Sequence, residues 1–241
     1  MTNELLRVIY PRRCPGCGDA IAPDMLVCEV CNEKFRRVKP PYCLKCGRHV
    51  EDETVELCDD CISKEHHYRA GIAVFEYDSI MRKAMSDLKF NSCRENAEFF
   101  SHEAVSLYKD RILELAPKAL IPVPIHRSKR AYRGYNQAEL IADGISAAVG
   151  IPVVKNLLVR SKRTEAQKQL GAESRSENLT NAFKCDLKSF SCETIVEDYS
   201  RVMIVDDIYT TGATMENCTR ALKDAGVREV LILSIAIGIG Y

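Results

Sequence analysis

The sequence has no excess charge of either sign: 34 Lys and Arg balance 34 Asp and Glu. A chain-wide pull toward nucleic acid or an anionic membrane is thereby excluded, and any basic surface has to be local. A long apolar run is also missing. The longest, VLILSIAIGIG near the end, is too short to cross a bilayer and reads as a buried strand. The first residues, MTNELLRVIYPRRC, hold no apolar stretch of secretory-signal length. A cytoplasmic protein is the expectation. The phosphate-binding spacing G-x-x-x-x-G-K-[ST] does not occur, and the glycines of AIGIGY leave no room for a following helix. What remains is an ordinary globular composition, 46% apolar and 28% charged over 241 residues. That length suits one sizeable core plus a small accessory domain.

Cysteine, by contrast, is abundant and unevenly spread. Of 12 cysteines, eight fall in the first 61 residues as four Cys-x-x-Cys pairs: Cys14/Cys17, Cys28/Cys31, Cys43/Cys46 and Cys58/Cys61. The others, Cys93, Cys185, Cys192 and Cys218, stand singly and read as inert thiols. In a reducing compartment repeated Cys-x-x-Cys pairs point to metal. Two thiolates two residues apart share one tight turn, and two such turns complete a tetrahedral zinc site. Gly16, Gly18 and Gly47 supply the backbone freedom these knuckles need. Spacers of 10, 11 and 11 residues suit a two-strand ribbon for each half, so residues 1–66 look like a double zinc ribbon holding two structural Zn2+. Sequential pairing puts Cys14, Cys17, Cys28 and Cys31 on one ion and the remaining four on another; cross-braced pairing is the alternative. A four-thiolate site has no open position for chemistry, which favours a structural head. Arg12, Arg13, Lys34, Arg36, Arg37 and Lys39 argue for the competing reading, a nucleic-acid or partner surface. SKEHHYR, with His66 and His67, reads as the linker to a second domain, 67–241.

From Ala70 the pattern alternates strand and helix. AGIAVFEY, KALIPVPI, IPVV, RVMIVDD and REVLILSIAI read as strands. Helices are expected from Ile80 to Phe90, from Glu95 to Leu115, over NQAELIADGISAAVG and over GATMENCTRALKDAG. This alternation argues for an α/β domain with a mainly parallel, twisted sheet flanked by helices.

One strand ends strangely. VMIVDDIYTTGATM, from Val202 to Met215, runs from apolar residues into two adjacent carboxylates and then into a Thr/Gly-rich turn. Side-by-side acids repel, and Asp is a poor strand former. In a parallel α/β sheet, however, ligands bind beyond the carboxyl ends of the strands. A helix starting near Gly212 offers unpaired N–H groups and partial positive charge, a ready phosphate cradle. Thr210, Thr211 and Thr214 add hydroxyls, and Gly212 lets the backbone approach closely. A ligand with a phosphate at one end and vicinal hydroxyls alongside satisfies both halves; ribose 5-phosphate has that shape. Two further segments carry charge or length. HRSKRAYRGYNQAEL holds Arg127, Lys129, Arg130 and Arg133, suited to pyrophosphate. The stretch from Val159 to Phe183 is long, polar and weakly periodic, as functional loops are.

VMIVDDIYTTGAT resembles the phosphoribosyl pyrophosphate (PRPP) signature of type I phosphoribosyltransferases. The resemblance implies that Asp206 and Asp207 hold the ribose hydroxyls as catalytic residues, with Mg2+ bridging to the pyrophosphate. It also implies that Thr210, Thr211, Gly212, Ala213 and Thr214 cradle the 5-phosphate. A loop carrying Gln167 and Arg175 would close over the centre, and Lys89 would face the cleft. The Cys-x-x-Cys head, PVPIHRSKRAYRGYNQAELIA and VDDIYTTGAT together look like the ComF family, with Tyr135 where Phe is common. That family is associated with natural competence and inward transport of single-stranded DNA, so single-stranded DNA and DNA-uptake proteins are implied partners. The sequence reveals no glutaminase domain, which argues against glutamine-dependent amide transfer. Two functions follow from the resemblance: phosphoribosyl transfer to a nitrogen acceptor, or a non-catalytic, PRPP-responsive factor that binds single-stranded DNA through the basic run with Tyr132 or Tyr135.

Overall fold

The computed structural model describes residues 11–160 and 182–239. In chain order the elements are α1 (Glu29–Lys34), α2 (Asp59–Ser63), β1 (Ala70–Glu76), α3 (Ser79–Phe90), α4 (Asn96–Leu115), β2 (Ala119–Pro122), α5 (Arg127–Arg133), α6 (Gln137–Val149), β3 (Leu158–Arg160), β4 (Phe183–Cys185), α7 (Cys192–Asp198), β5 (Arg201–Tyr209), α8 (Ala213–Asp224) and β6 (Glu229–Ile237). Four strands form one parallel sheet in the order β1-β6-β5-β2. This is the type I phosphoribosyltransferase-like architecture. Strands buried on both faces have to be apolar throughout, which is why EVLILSIAI and RVMIV lack polar alternation.

Alternate residues of these strands feed two separate cores. Met203, Val205, Leu231 and Leu233 face one side, where Met85 and Leu88 of α3, Phe99 and Phe100 of α4, and Ile141 of α6 cover them. Val202, Ile204, Val230 and Ile232 face the other, beneath Met215 and Leu222 of α8, Ile195 of α7 and Phe183 of β4. The period-2 geometry of a strand produces this division directly.

The cysteine-rich head joins both cores. Its first half sends Cys14, Cys31 and Phe35 into the α3/α4 side, and its second half sends Cys43, Cys46 and Cys61 into the α8 side. It therefore straddles the β1 edge of the sheet. Arg37 bridges Phe75 of β1 in antiparallel fashion, and the Val38 amide donates to the Val74 carbonyl at 2.9 Å. A free parallel edge is thus covered. Phe35, 2% exposed, packs 5.6 Å from the ring of Phe75 and 4.9 Å from that of Phe99.

Several expectations require correction. Among the described residues, the two-strand ribbons are reduced to one antiparallel bridge in each half, Arg13 with Ala20 and Tyr42 with His49, followed by the short helices α1 and α2. IPVV contributes only Val153, which bridges Leu120 beyond β2. The basic run 127–133, for which no helix is expected, forms the helix α5, capped by His126, whose ring nitrogen accepts the Ser128 N–H at 3.2 Å, and stopped at Gly134 with φ 78°. The sequence also gave no hint of α7, or of the antiparallel pairing of β3 with β4.

Because Phe35 belongs to a core shared by head and sheet, Phe35→Ala is expected to destabilise the whole chain by about 3–5 kcal/mol. Urea unfolding followed by circular dichroism and by thiol accessibility should give one shifted transition. A head that opens while the sheet transition stays in place contradicts the shared core.

Candidate functional site

The eight paired cysteines gather into two sets, and the pairing is sequential. Cys14, Cys17, Cys28 and Cys31 form one, and Cys43, Cys46, Cys58 and Cys61 the other, with all sulfurs of a set within 4.8 Å of one another. Cys14 Sγ lies 3.6 Å from Cys28 Sγ, and Cys46 Sγ 3.7 Å from Cys58 Sγ. A tetrahedron with Zn–S bonds of about 2.3 Å has edges of about 3.8 Å, so these sets fit structural zinc. Four thiolates close each site. Three arginines of the head pair with acids of the second domain, while Arg13, Lys34, Arg36 and Lys39 stay exposed. Arg12 pairs with Glu98, Arg37 Nε donates to Glu103 at 2.8 Å, and Arg36 lies 3.8 Å from Glu76.

The two acids sit at the carboxyl end of β5 between β6 and β2, and both are buried. Successive strand residues point to opposite faces. Asp207 meets the α3 side, where Lys89 Nζ lies 2.7 Å from its Oδ2. Asp206 Oδ1 accepts the Asp207 N–H at 2.9 Å. Burial first, then the neighbouring Asp207, pushes the Asp206 carboxyl well above the usual carboxylate range. Lys89 is the cation expected from resemblance to face the cleft.

The basic side chains divide by role. Arg130 grips Glu139 with two bonds of 2.6 and 3.0 Å, which braces α5 against α6 and commits its guanidinium. Arg133 Nη1 donates to Gln137 Oε1 at 3.0 Å, with its guanidinium 5.0 Å over the Phe90 ring. Lys129 has an ammonium pKa lowered by burial and by Arg160, Arg133 and Lys89, against the opposing pull of Asp207. Arg127 is exposed, as is Tyr132, at 79%. Tyr135 is unavailable for stacking on a base, because it is buried with its hydroxyl on the Leu88 carbonyl and Arg94 over its ring.

After β5 the chain turns through Thr210, Thr211 and Gly212 into α8. Gly212 is the N-cap at φ 79°, a left-handed geometry that favours glycine, and no side chain caps the helix. The first amides of α8 lack intrahelical partners by geometry. Thr211 Oγ1 lies 3.5 Å from the Ala213 N–H, and Thr210 and Thr211 are exposed. Gln167 and Arg175 lie outside the described residues; β3 and β4 bring the two ends of that segment together. An open groove of about 780 Å³, lined by His67, Phe183, Lys184 and Arg220 among others, lies on the outer side of α8 and does not include Asp206 or Asp207.

Sequence reasoning passed over one cluster. His66 and His67 are not a free linker: His66 is buried and stacked 4.8 Å from Tyr68, while the His67 amide and Nδ1 reach Glu216 at 2.9 and 2.5 Å. Burial pushes the Glu216 carboxyl up, but the nearby His66 ring, with bonds from the His67 amide, Arg220 and the His67 ring, brings it down to about 2. The only available signal was a His-His pair before a strand.

Residues 5–62 match the double zinc ribbon domain, and residues 132–237 match the phosphoribosyl transferase domain. Fold and site thus define the class: a type I phosphoribosyltransferase-like α/β domain joined to a double zinc ribbon. The chain is 28% identical over 237 residues to competence protein F of Haemophilus influenzae, covering 93% of this chain and 96% of that one. It is 26% identical over 212 residues to competence protein ComFC of Bacillus subtilis, covering 86% and 81%. It is 26% identical over 210 residues to the DNA utilization protein YhgH of Escherichia coli, covering 86% and 88%. The chain is thus similar along most of its length to these competence and DNA utilization proteins, and carries both the double zinc ribbon and the phosphoribosyl transferase domain. A purine phosphoribosyltransferase from Pyrococcus horikoshii overlays with 19% identity and a TM-score of 0.34 over 58% of this chain, too loosely to carry an argument.

A carboxyl with a raised folded pKa keeps its proton where the unfolded chain has lost it, so its stabilising share is lost as pH rises above the unfolded value near 3.8. Asp206→Asn keeps the acceptor for the Asp207 amide and removes the buried charge. We expect it to raise the melting temperature near pH 7 by on the order of 3 °C and to flatten the pH dependence above about pH 4. Scanning calorimetry across pH 4–8 checks this; an unchanged or lower melting temperature contradicts the assignment.

Proposed function

We propose that the protein binds PRPP at the carboxyl end of β5. The carrying observation is the buried Asp206/Asp207 pair, with Lys89 on Asp207 and a glycine-capped helix start a few residues on. Both carboxylates accept hydroxyl hydrogen bonds from the ribose diol, which compensates their mutual repulsion. Thr210, Thr211, Gly212, Ala213 and Thr214 present hydroxyls and amides to the 5-phosphate. Lys129 and Arg133, with Lys89, attract the pyrophosphate, and Arg127 extends that field outward. The hard oxygens of Asp206 and Asp207 suit magnesium, which supplies charge neutralisation on the pyrophosphate when bound. Stabilisation of departing pyrophosphate by these cations is the electrostatic contribution a phosphoribosyl transfer needs. The relatives' names, competence protein and DNA utilization protein, support a role in competence or DNA handling. A cytoplasmic setting keeps the zinc-ribbon thiols reduced.

A second reading is single-stranded DNA binding by the same protein. Tyr132, 79% exposed on the helix that carries Arg127, Lys129, Arg130 and Arg133, favours it. An exposed ring among cations suits base stacking and phosphate contact.

Calorimetric titration of PRPP with magnesium tests the first reading. Asp207→Ala should weaken binding by at least about tenfold, the worth of a hydrogen bond to a charged group. No heat from the wild-type protein would reject the assignment. Catalysis is read as acceptor-dependent pyrophosphate release over a panel of nucleobases and amines; silence across the panel rejects transfer and leaves the binding role. For the second reading, Arg127→Ala with Tyr132→Ala should abolish salt-sensitive binding to an oligo-dT probe, while Asp206→Ala should leave it intact.

A further inference from the structure

The chain leaving the second cysteine site runs directly beneath the loop between β5 and α8. The knuckle itself is pressed onto β1. A Cβ placed on Gly71 would come within 2.6 Å of the Lys45 carbonyl oxygen, and one on Gly47 within 2.6 Å of the Ala73 nitrogen. Backbone meets backbone at both points, so neither position admits a side chain. Tyr68, fully buried, follows from the linker, and its hydroxyl lies 2.9 Å from that of Tyr209 at the end of β5. Tyr209 in turn fills the space over Gly212: a Cβ there would sit 2.4 Å from the Tyr209 hydroxyl and 3.0 Å from Cε1 of His66. His66 stacks on Tyr68 with an interplanar angle of 20°. Glu216, in the first turn of α8, is held by the His67 amide at 2.9 Å and by Arg220 at 2.8 Å, with His66 Nδ1 at 3.7 Å.

Both ends of the turn are therefore held by one segment. Gly212 packs against His66 as well as Tyr209, and the first turn of α8 is tied to His67. His66, Tyr68 and Tyr209 are buried and present no surface to a ligand. A phosphate held by backbone amides requires those amides to converge before it arrives, because a loop that must be ordered on binding loses affinity.

We infer that His66, Tyr68 and Tyr209 are positioning residues that connect the second cysteine site to the phosphate loop and preset its amides. This rests on the reading of Thr210 to Thr214 as the 5-phosphate cradle. The head is then part of the ligand site's scaffold and not an independent module.

Tyr68→Phe, Tyr209→Phe and the double variant separate this from a purely structural role. Each removes a hydroxyl and keeps the ring. Affinities for ribose 5-phosphate and for inorganic pyrophosphate with magnesium are measured by calorimetry, together with the Gly212 amide shift by NMR. Each single variant should bind ribose 5-phosphate about fivefold more weakly, the worth of one neutral hydrogen bond. The double variant should lose less than the product of the two single losses, because both act through the same contact. Pyrophosphate affinity should stay unchanged and the Gly212 amide should shift. Equal loss for both ligands, or none for either with the wild-type protein binding ribose 5-phosphate, overturns the inference alone. Failure of the wild-type protein to bind ribose 5-phosphate overturns the cradle and the inference with it.

Discussion

Two carboxylates held side by side, both buried, at the end of an inner strand are an unfavourable arrangement that everything around them has to accommodate. Desolvation and mutual repulsion both disfavour ionisation, and the raised Asp206 carboxyl expresses that conflict. The structure relieves half of it. Lys89 reaches Asp207 from α3, while Asp206, among the described residues, accepts from the neighbouring amide. Strain of this kind persists where a surrounding fold over-determines it and where a ligand uses it. A parallel sheet with helices on both faces is the scaffold that can bury the strand's body and still open its carboxyl end.

The same division of the sheet into two faces explains the head. A parallel sheet needs its edges covered, and β1 lies at one edge. The zinc ribbon covers it by placing its first half against the α4 side and its second against the α8 side. Its two four-cysteine sites suit structural zinc, which stabilises segments too short to hold a core of their own. Arginines that look like a nucleic-acid surface in the sequence are instead paired across the join, Arg12 with Glu98 and Arg37 with Glu103. The net charge of zero is consistent with this local neutralisation.

Much of the fold was legible because its signals are local. Cys-x-x-Cys spacing specifies a knuckle, an apolar run followed by Asp206 and Asp207 marks a strand end, and Gly150 at φ 76° stops α6 where the pattern says it should. What escaped depends on contacts between distant residues. Arg130 reads as a pyrophosphate ligand until Glu139 is seen beside it, and Tyr135 reads as a stacking platform until Leu88 and Arg94 enclose it. The basic run became a helix because His126 and Gly134 cap it at both ends, an effect too short to register as periodicity. His66 and His67 gained partners 149 residues away in the case of His67 and Glu216, beyond any local pattern.

The most direct test of the account is a crystal of the protein soaked with ribose 5-phosphate and magnesium. The account predicts the sugar diol within hydrogen-bond reach of Asp206 and Asp207, and the phosphate on the amides that open α8. A sugar phosphate bound elsewhere, or that corner vacant at saturating ligand, would contradict it.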